Sequence, residues 1–323
     1  MPSNVVLVTG VSGELGGRLL ARLGARPDLE RVVGVDTAPP SAAVLRELGR
    51  AEFVRADIRN PLIAKIMTSV KVDTVVHAAP ACHPAGSGGY AETKETNVIG
   101  TMRLLAACQN SPHVRKFVVT STTAVYGASA RSRAVFTEDA ELFPATAAGY
   151  SKNAVELEGY VRGFARRRVD VGVTTFRFAD LVAPDFDTVF TRYFSLPAVP
   201  TVLGFDARLQ FLHAEDALAV LERAVVLDRP GVFNVAGPGV LALSQAIRRA
   251  GRVPVGVPRI AMSAVGTALR LTRQVPLSSE LVRLLNFGRV VDIRRLTHEF
   301  GYRPRWTTRE AFDDAVVRRS ATV

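Results

Sequence analysis

Thr9-Gly10-Val11-Ser12-Gly13-Glu14-Leu15-Gly16 follows the apolar run Val5-Val6-Leu7-Val8 at the start of the chain. The chemistry this spacing serves is the holding of a pyrophosphate. Gly10 lets the chain leave a buried strand in a tight turn, and Gly13 lets backbone amides approach a phosphate with no Cβ in the way. Gly16 lets the next helix pack close to the strand. That helix would then aim its unpaired amino-terminal N–H groups at the anion. A second apolar run, Arg31-Val32-Val33-Gly34-Val35-Asp36, ends in an acid 20 residues after Gly16. A carboxylate there accepts hydrogen bonds from the ribose hydroxyls of an adenine dinucleotide and repels a 2′-phosphate. Thr37-Ala38-Pro39-Pro40 adds no arginine to hold such a phosphate, so NAD is favoured over NADP. The bland alternatives are an ordinary strand-to-helix turn for the glycines and a cap or turn acid for Asp36.

The elements that must position these residues can be read from patterning. Glu52–Ile58 reads as a third strand, whose Asp57 and Ile58 would border the adenine. Asp73–Ala79, Lys116–Ser121 and Val171–Phe178 read as the fourth to sixth, with a helix through Asn97–Ala107 between two of them. Strand–helix alternation of this kind demands a parallel sheet covered on both faces, with ligands outside the strand carboxyl ends. The fold class expected is α/β, a Rossmann-type doubly wound parallel sheet with a smaller C-terminal substrate-binding lobe. Residues 1–182 would bind the dinucleotide, with a return segment near 208–237. From about residue 183 to 323 the alternation gives way to Pro-rich loops and helices, the expected place for substrate contacts.

Composition narrows the function classes. The chain has 323 residues, 48% of them hydrophobic, enough for a large core. No run approaches a membrane-spanning length, and the first 20 residues read as strand and glycine turn, not signal peptide. Cys82 and Cys108 make no disulfide framework, and no Cys/His cluster has metal-ligand spacing, so a reduced, cytoplasmic protein without a metal is expected. The net charge of +11 rests on scattered arginines, with no basic, aromatic-interleaved surface pattern. An anionic small molecule is a better use of them than nucleic acid.

Taken together, the motifs resemble the extended short-chain dehydrogenase/reductase family, in its NAD-dependent epimerase/dehydratase branch. The resemblance covers nearly the whole chain. It rests on the glycine loop, Asp36, Asp57-Ile58, His77-Ala78-Ala79, Asn97-x-x-Gly100-Thr101, Thr120-Ser121-Thr122-x-x-Val125-Tyr126-Gly127, Ser151-Lys152, Phe211-Leu212-His213-x-x-Asp216 and Phe300-Gly301-Tyr302-x-Pro304. It implies NAD held by Gly10, Ser12, Gly13, Glu14, Leu15, Gly16, Asp36, Asp57, Ile58, His77, Ala78, Ala79, Asn97, Thr120 and Lys152. In that chemistry a tyrosine with a lysine-lowered pKa moves the hydroxyl proton while hydride moves to or from the nicotinamide, and a Ser or Thr holds the substrate oxygen. Lys152 fits the lysine and Thr122 the hydroxyl.

The tyrosine is absent. Family spacing is Tyr-x-x-x-Lys, and position 148 is Ala148. Tyr150 lies two residues before Lys152, which on a helix is a turn of about 200°. It can replace the base only if the segment is shifted or not yet helical there; otherwise it packs. Tyr126 and His83 are fallback donors, while Cys82 reads as a small loop residue. Relatives that bind a nucleotide-sugar diphosphate carry R-x-x-N-x-x-G-P, whereas Arg177-Phe178-Ala179-Asp180 places an acid at the amide position. Arg177 then reads equally as a buried ion-pair partner. Leu209 stands where a basic residue is common, with Arg208 one step earlier. Thr123-Ala124 after the hydroxyl residue disfavour 4,6-dehydration.

Two functions follow. One is an NAD-dependent oxidoreductase or epimerase acting through a non-standard base on a sugar-like alcohol, an anionic one being the better match to the arginines. The other is a catalytically impaired NAD-binding sensor or partner module. The resemblance also implies a homodimer paired through helices around residues 94–109 and 152–166, with Leu104, Leu105, Val155 and Leu157 as interface or core residues.

Overall fold

The computed structural model describes residues 5–78, 98–142, 150–271, 275 and 277–317. Five β-branched or apolar-flanked stretches become the strands β1 (Val5–Thr9), β2 (Arg31–Asp36), β3 (Glu52–Arg55), β4 (Thr74–His77) and β5 (Lys116–Thr122). β6 (Gly172–Phe178) and a later strand, Gly231–Val235, complete one seven-stranded sheet. Its order runs from the strand at Gly231–Val235 through β6, β5, β4, β1 and β2 to β3. β1 pairs in parallel with β2 and β4, β2 with β3, and β4 with β5. The chain reverses its direction of travel across the sheet beside β1, which is where a doubly wound sheet opens a crevice at its strand carboxyl ends.

Every residue of β1, β4 and β5 is buried. Strands covered on both faces need continuous apolar runs, not alternation. The covering helices include α1 (Glu14–Gly24), α2 (Ala42–Arg46), α3 (Leu62–Ser69), α4 (Gly100–Asn110) and α5 (Tyr150–Arg167). α1 buries Leu15, Leu19 and Leu23 at four-residue spacing, with Leu20 beside them. Each such leucine contributes about 1.5–3 kcal/mol of burial energy. Leu104, Leu105 and Leu157 share one core cluster with Val5 and Leu7 of β1 and Phe117 of β5. These leucines are therefore internal packing residues and not dimer contacts. Among the described residues, Met102 of α4 and Tyr160 of α5 are the exposed large apolar side chains of those helices.

The chain forms two compact units that interleave in sequence. The first comprises residues 1–121, 152–177 and 217–233; the second comprises 122–151, 178–216 and 234–323. In the second, β7 (Asp180–Val182) pairs in parallel with a strand at Phe211–His213, and strands at Ala198–Val202 and Val253–Val257 pair likewise. Its core is aromatic: Phe194 meets Phe312 edge to face at 4.9 Å, and Phe190 meets Phe211 at 5.3 Å. Two of the sequence motifs converge here. Asp216, fully buried, accepts hydrogen bonds from the Tyr302 hydroxyl (2.7 Å) and the Arg305 and Trp306 amides (2.8 and 3.0 Å). His213 stacks on Trp306 with ring centroids 4.2 Å apart.

Candidate functional site

The first loop is built as its spacing predicts. Gly10 adopts φ 82°, where a side chain would be strained, and its N–H bonds to Val35 O on β2 at 3.3 Å. A Cβ on Gly16 would overlap the Gly10 carbonyl, so the helix approaches the turn as closely as backbone allows. Gly13 caps α1 without any side-chain hydrogen bond. The first-turn amides are thus left for an anion, and the helix dipole favours one.

Asp36 is already tied to this loop. Its Oδ2 accepts from the Ser12 amide at 2.9 Å and the Ser12 hydroxyl at 2.7 Å, while Oδ1 accepts from the Thr37 amide at 2.7 Å. Three donors fix the carboxylate's orientation beside the glycine turn. A cradle of free amides with a fixed acid at the next strand's end fits the pyrophosphate and ribose of an adenine dinucleotide. Glu14 points back along α1 to Arg18 at 3.5 Å, and the Leu15 side chain is buried, so both can offer a ligand their backbone only at the loop. Asp57 is held by Arg59 through its side chain (2.6 Å) and amide (2.8 Å), and this hydrogen bonding lowers the carboxyl's pKa. Ile58 packs on Gly100, where an added Cβ would stand 2.8 Å from Ile58 Cδ1.

Three residues expected at the cofactor or as a proton donor have side chains engaged elsewhere. His77 is wholly buried, with Nδ1 2.6 Å from Thr9 Oγ1 and Nε2 2.8 Å from Thr101 Oγ1. Burial pushes its pKa down to about 3, so it is a neutral pin joining β1, β4 and α4. Its side chain is unavailable to a ligand. Thr120 is equally buried, its hydroxyl turned to His77 O at 3.4 Å, and only its backbone could meet a ligand. Tyr126, the fallback donor, gives its proton to Asn234 Oδ1 at 2.7 Å and stacks on Phe136, with 3% of its surface exposed. Ala78 donates its amide to Thr9 O at 3.1 Å. Ala79, Cys82, His83, Asn97 and Ala148 lie outside the described residues.

Thr122 ends β5 and caps the short 3-10 turn Thr123–Tyr126, its Oγ1 accepting from the Ala124 amide at 3.2 Å. Beside it, Arg289 Nε donates to Thr123 Oγ1 at 3.0 Å, and an Nη2 lies 3.5 Å from Asp180 Oδ2. The Asp180 charge is therefore faced by a guanidinium. Arg208 is exposed and donates to Ala134 O at 3.2 Å. Arg177 settles as a structural group: it and Glu158 form a buried pair at 2.7 Å, with the Ser121 hydroxyl also on Glu158 at 2.7 Å.

The lysine helix answers the question of Tyr150. Tyr150 lies within α5 and is therefore helical, about 200° around the axis from Lys152. Within the described helix Tyr150 and Lys152 do not share a face. The amides of Tyr150 and Ser151 donate to Glu280 Oε2 and Oε1 at 3.0 and 2.9 Å. A carboxylate from 130 residues away thus caps this helix, and nothing in the sequence marks Glu280 for the task. Glu158 and Asn234 were likewise invisible, since each acts through a partner distant in sequence. Among the described residues Lys152 makes no ion pair or hydrogen bond through its side chain, no group of three His, Cys, Asp or Glu side chains could hold a metal, and no helix is long and apolar enough to cross a membrane.

Residues 6–236 match the model of the NAD dependent epimerase/dehydratase family. A Mycobacterium tuberculosis protein, Rv0501, itself uncharacterised, is 50% identical over 98% of this chain and 85% of its own length. Among solved structures, UDP-glucuronic acid 4-epimerase from Bacillus cereus, in complex with UDP-glucuronic acid and NAD, superposes with a TM-score of 0.74 at 18% identity, covering 99% of this chain and 100% of that one. The dTDP-glucose 4,6-dehydratase from Bacillus anthracis, in complex with NAD, gives 0.73 at 17% identity, covering 99% and 97%. At these identities the structural likeness is one of fold.

Proposed function

The chain belongs to the NAD dependent epimerase/dehydratase family, and on that premise we propose that it is an NAD-dependent oxidoreductase or epimerase acting on a nucleotide-sugar or similar carbohydrate alcohol. The observation that carries this reading is the Ser12–Asp36 lock beside a glycine turn whose helix amides are uncapped. When bound, NAD supplies a hydride acceptor. The uncapped amides of α1 would hold its phosphates, and Asp36 would accept the ribose hydroxyls. Lys152 would hold the second ribose and favour proton loss from the reacting hydroxyl, and Thr122 would donate a hydrogen bond to the substrate oxygen. Ala148 has no proton to exchange, so proton transfer falls to another group or to water. The substrate would be sugar-like, the assembly a homodimer and the compartment the cytoplasm. The test of that assembly is sedimentation: a dimer's mass lost in Met102→Glu with Tyr160→Glu would support it, and a monomer's mass in the wild type would overturn it.

A second reading is favoured by the diversion of both candidate tyrosines, Tyr126 into Asn234 and Tyr150 to the far side of its helix from Lys152. It is an NAD-binding sensor or partner module with little turnover. The separating experiment follows reduction of bound NAD+ at 340 nm with a panel of UDP-sugars, in the wild type and in Ala148→Tyr. Wild-type reduction supports the enzyme; tight NAD+ binding with silence until Ala148→Tyr restores reduction supports the module.

A further inference from the structure

The first unit carries a second cleft, of about 680 Å³, at the sheet edge opposite the glycine loop. Thr74, Lys116 and Gly172, which line it, are the first residues of β4, β5 and β6, whereas the glycine loop follows the carboxyl end of β1. Its volume is that of small-molecule sites in general.

The charges around this cleft divide unequally in their commitments. Its three acids are engaged: Asp73 accepts from the Val5 amide (2.9 Å) and the Thr74 hydroxyl (2.7 Å), Asp170 pairs with Arg168 (2.7 Å), and Asp228 pairs with Lys116 (2.8 Å). Four bases are not. Among the described residues the side chains of Lys71, His113, Arg115 and Arg229 make no hydrogen bond and no ion pair, although Arg115 lies within the Coulombic reach of Asp170.

Cations at this edge have an ordinary use, since helices of a parallel sheet end here and expose carbonyls. That use is filled by others. Arg168 donates to the carbonyls of Cys108 and Gln109 in the last turn of α4 and of Ser111 and Val114 beyond it, and Lys116 donates to those of Val225 and Leu227. Lys71 lines the cleft just beyond the end of α3. Among the described residues it is the one non-glycine with positive φ, at 54°, a conformation that glycine or asparagine would adopt at less cost. The conformation closes α3, whose last carbonyls accept from the Lys71 amide (Thr68 O, 3.2 Å) and the Val72 amide (Met67 O, 3.0 Å).

We propose that this cleft binds a small phosphorylated metabolite through Lys71, His113, Arg115 and Arg229, at a site separate from the dinucleotide loop. Several cations spread around one cavity suit a ligand with at least two negative groups, each meeting a guanidinium or ammonium that needs no release from an internal partner.

The test is calorimetric titration with sodium pyrophosphate. The expected result is one saturable site, weakened at least tenfold in Arg115→Glu/Arg229→Glu and by increasing salt, with NAD+ affinity unchanged. Lys71→Gly serves as the variant that keeps the fold: it should raise the melting temperature while weakening pyrophosphate binding. Absence of saturable heat overturns the proposal. So does equal affinity in the arginine variant, or in Lys71→Gly should the arginine variant not fold. Heat abolished by Gly16→Ala but untouched by these substitutions would place the anion on the glycine loop and also overturn it.

Discussion

Lowering the pH from 7 to 5 should destabilise the first unit through His77 alone by about 2 kcal/mol. The imidazole is wholly buried between Thr9 and Thr101, and burial depresses its pKa from 6.5 to about 3. In the unfolded chain it protonates as pH falls through 6.5, while in the folded chain it stays neutral until near 3. The unfolded state therefore binds more protons across this window, so the stability is fully present above pH 6.5 and is lost progressively as pH falls towards 3. At 1.36 kcal/mol per unit, the loss is about 2 kcal/mol by pH 5 and about 4 kcal/mol by pH 3. For a chain of this length 2 kcal/mol corresponds to about 3 °C in melting temperature. Other groups titrate too, so the measurement is a difference. Urea denaturation at pH 7 and pH 5 is compared between wild type and His77→Gln, which cannot titrate. The wild type should lose about 2 kcal/mol more than the variant over that interval. Equal losses, or an imidazole resonance of His77 that titrates near 6.5, would refute the reasoning.

Arg177→Met should cost about 3–5 kcal/mol, because Glu158 would be left charged and buried, and adding Glu158→Gln should recover much of that loss in the same denaturation assay. An Arg177→Met cost no larger than the double variant's would show that the pair is not coupled. Asp36→Ala should weaken NAD+ binding about tenfold to a hundredfold, from one or two charge-assisted hydrogen bonds, and should narrow the preference over NADP+ in competition titrations. Asp216→Asn should lower the melting temperature by several degrees, since the carboxylate answers three donors, and limited proteolysis should then cut first near Tyr302–Trp306.

The sequence made the dinucleotide half of this molecule legible because its constraints are local. Gly10, Gly13 and Gly16 answer to one turn and one helix, and Asp36 to the strand that ends beside them. Strand identities followed from unbroken apolar runs that only two-sided burial explains. What escaped was long-range. His77 stands in a family motif, yet its role is set by Thr9 and Thr101, which no spacing rule connects to it. Glu280 caps the lysine helix from 130 residues downstream, and Arg289 answers Asp180 from 109 downstream. Such pairings depend on how helices and strands of the second unit pack. The buried state of Leu104 and Leu157 is similar: an apolar helix position looks the same whether its partner is the sheet below or another subunit.

The most direct test of the central claim is a calorimetric titration of the purified chain with NAD+, run beside Gly16→Ala. The account predicts one saturable NAD+ site per chain in the wild type. It also predicts loss of that site in Gly16→Ala, whose new methyl group must displace the Gly10 carbonyl. A wild type without affinity for NAD+, or a Gly16→Ala variant that binds it undiminished, would contradict the account.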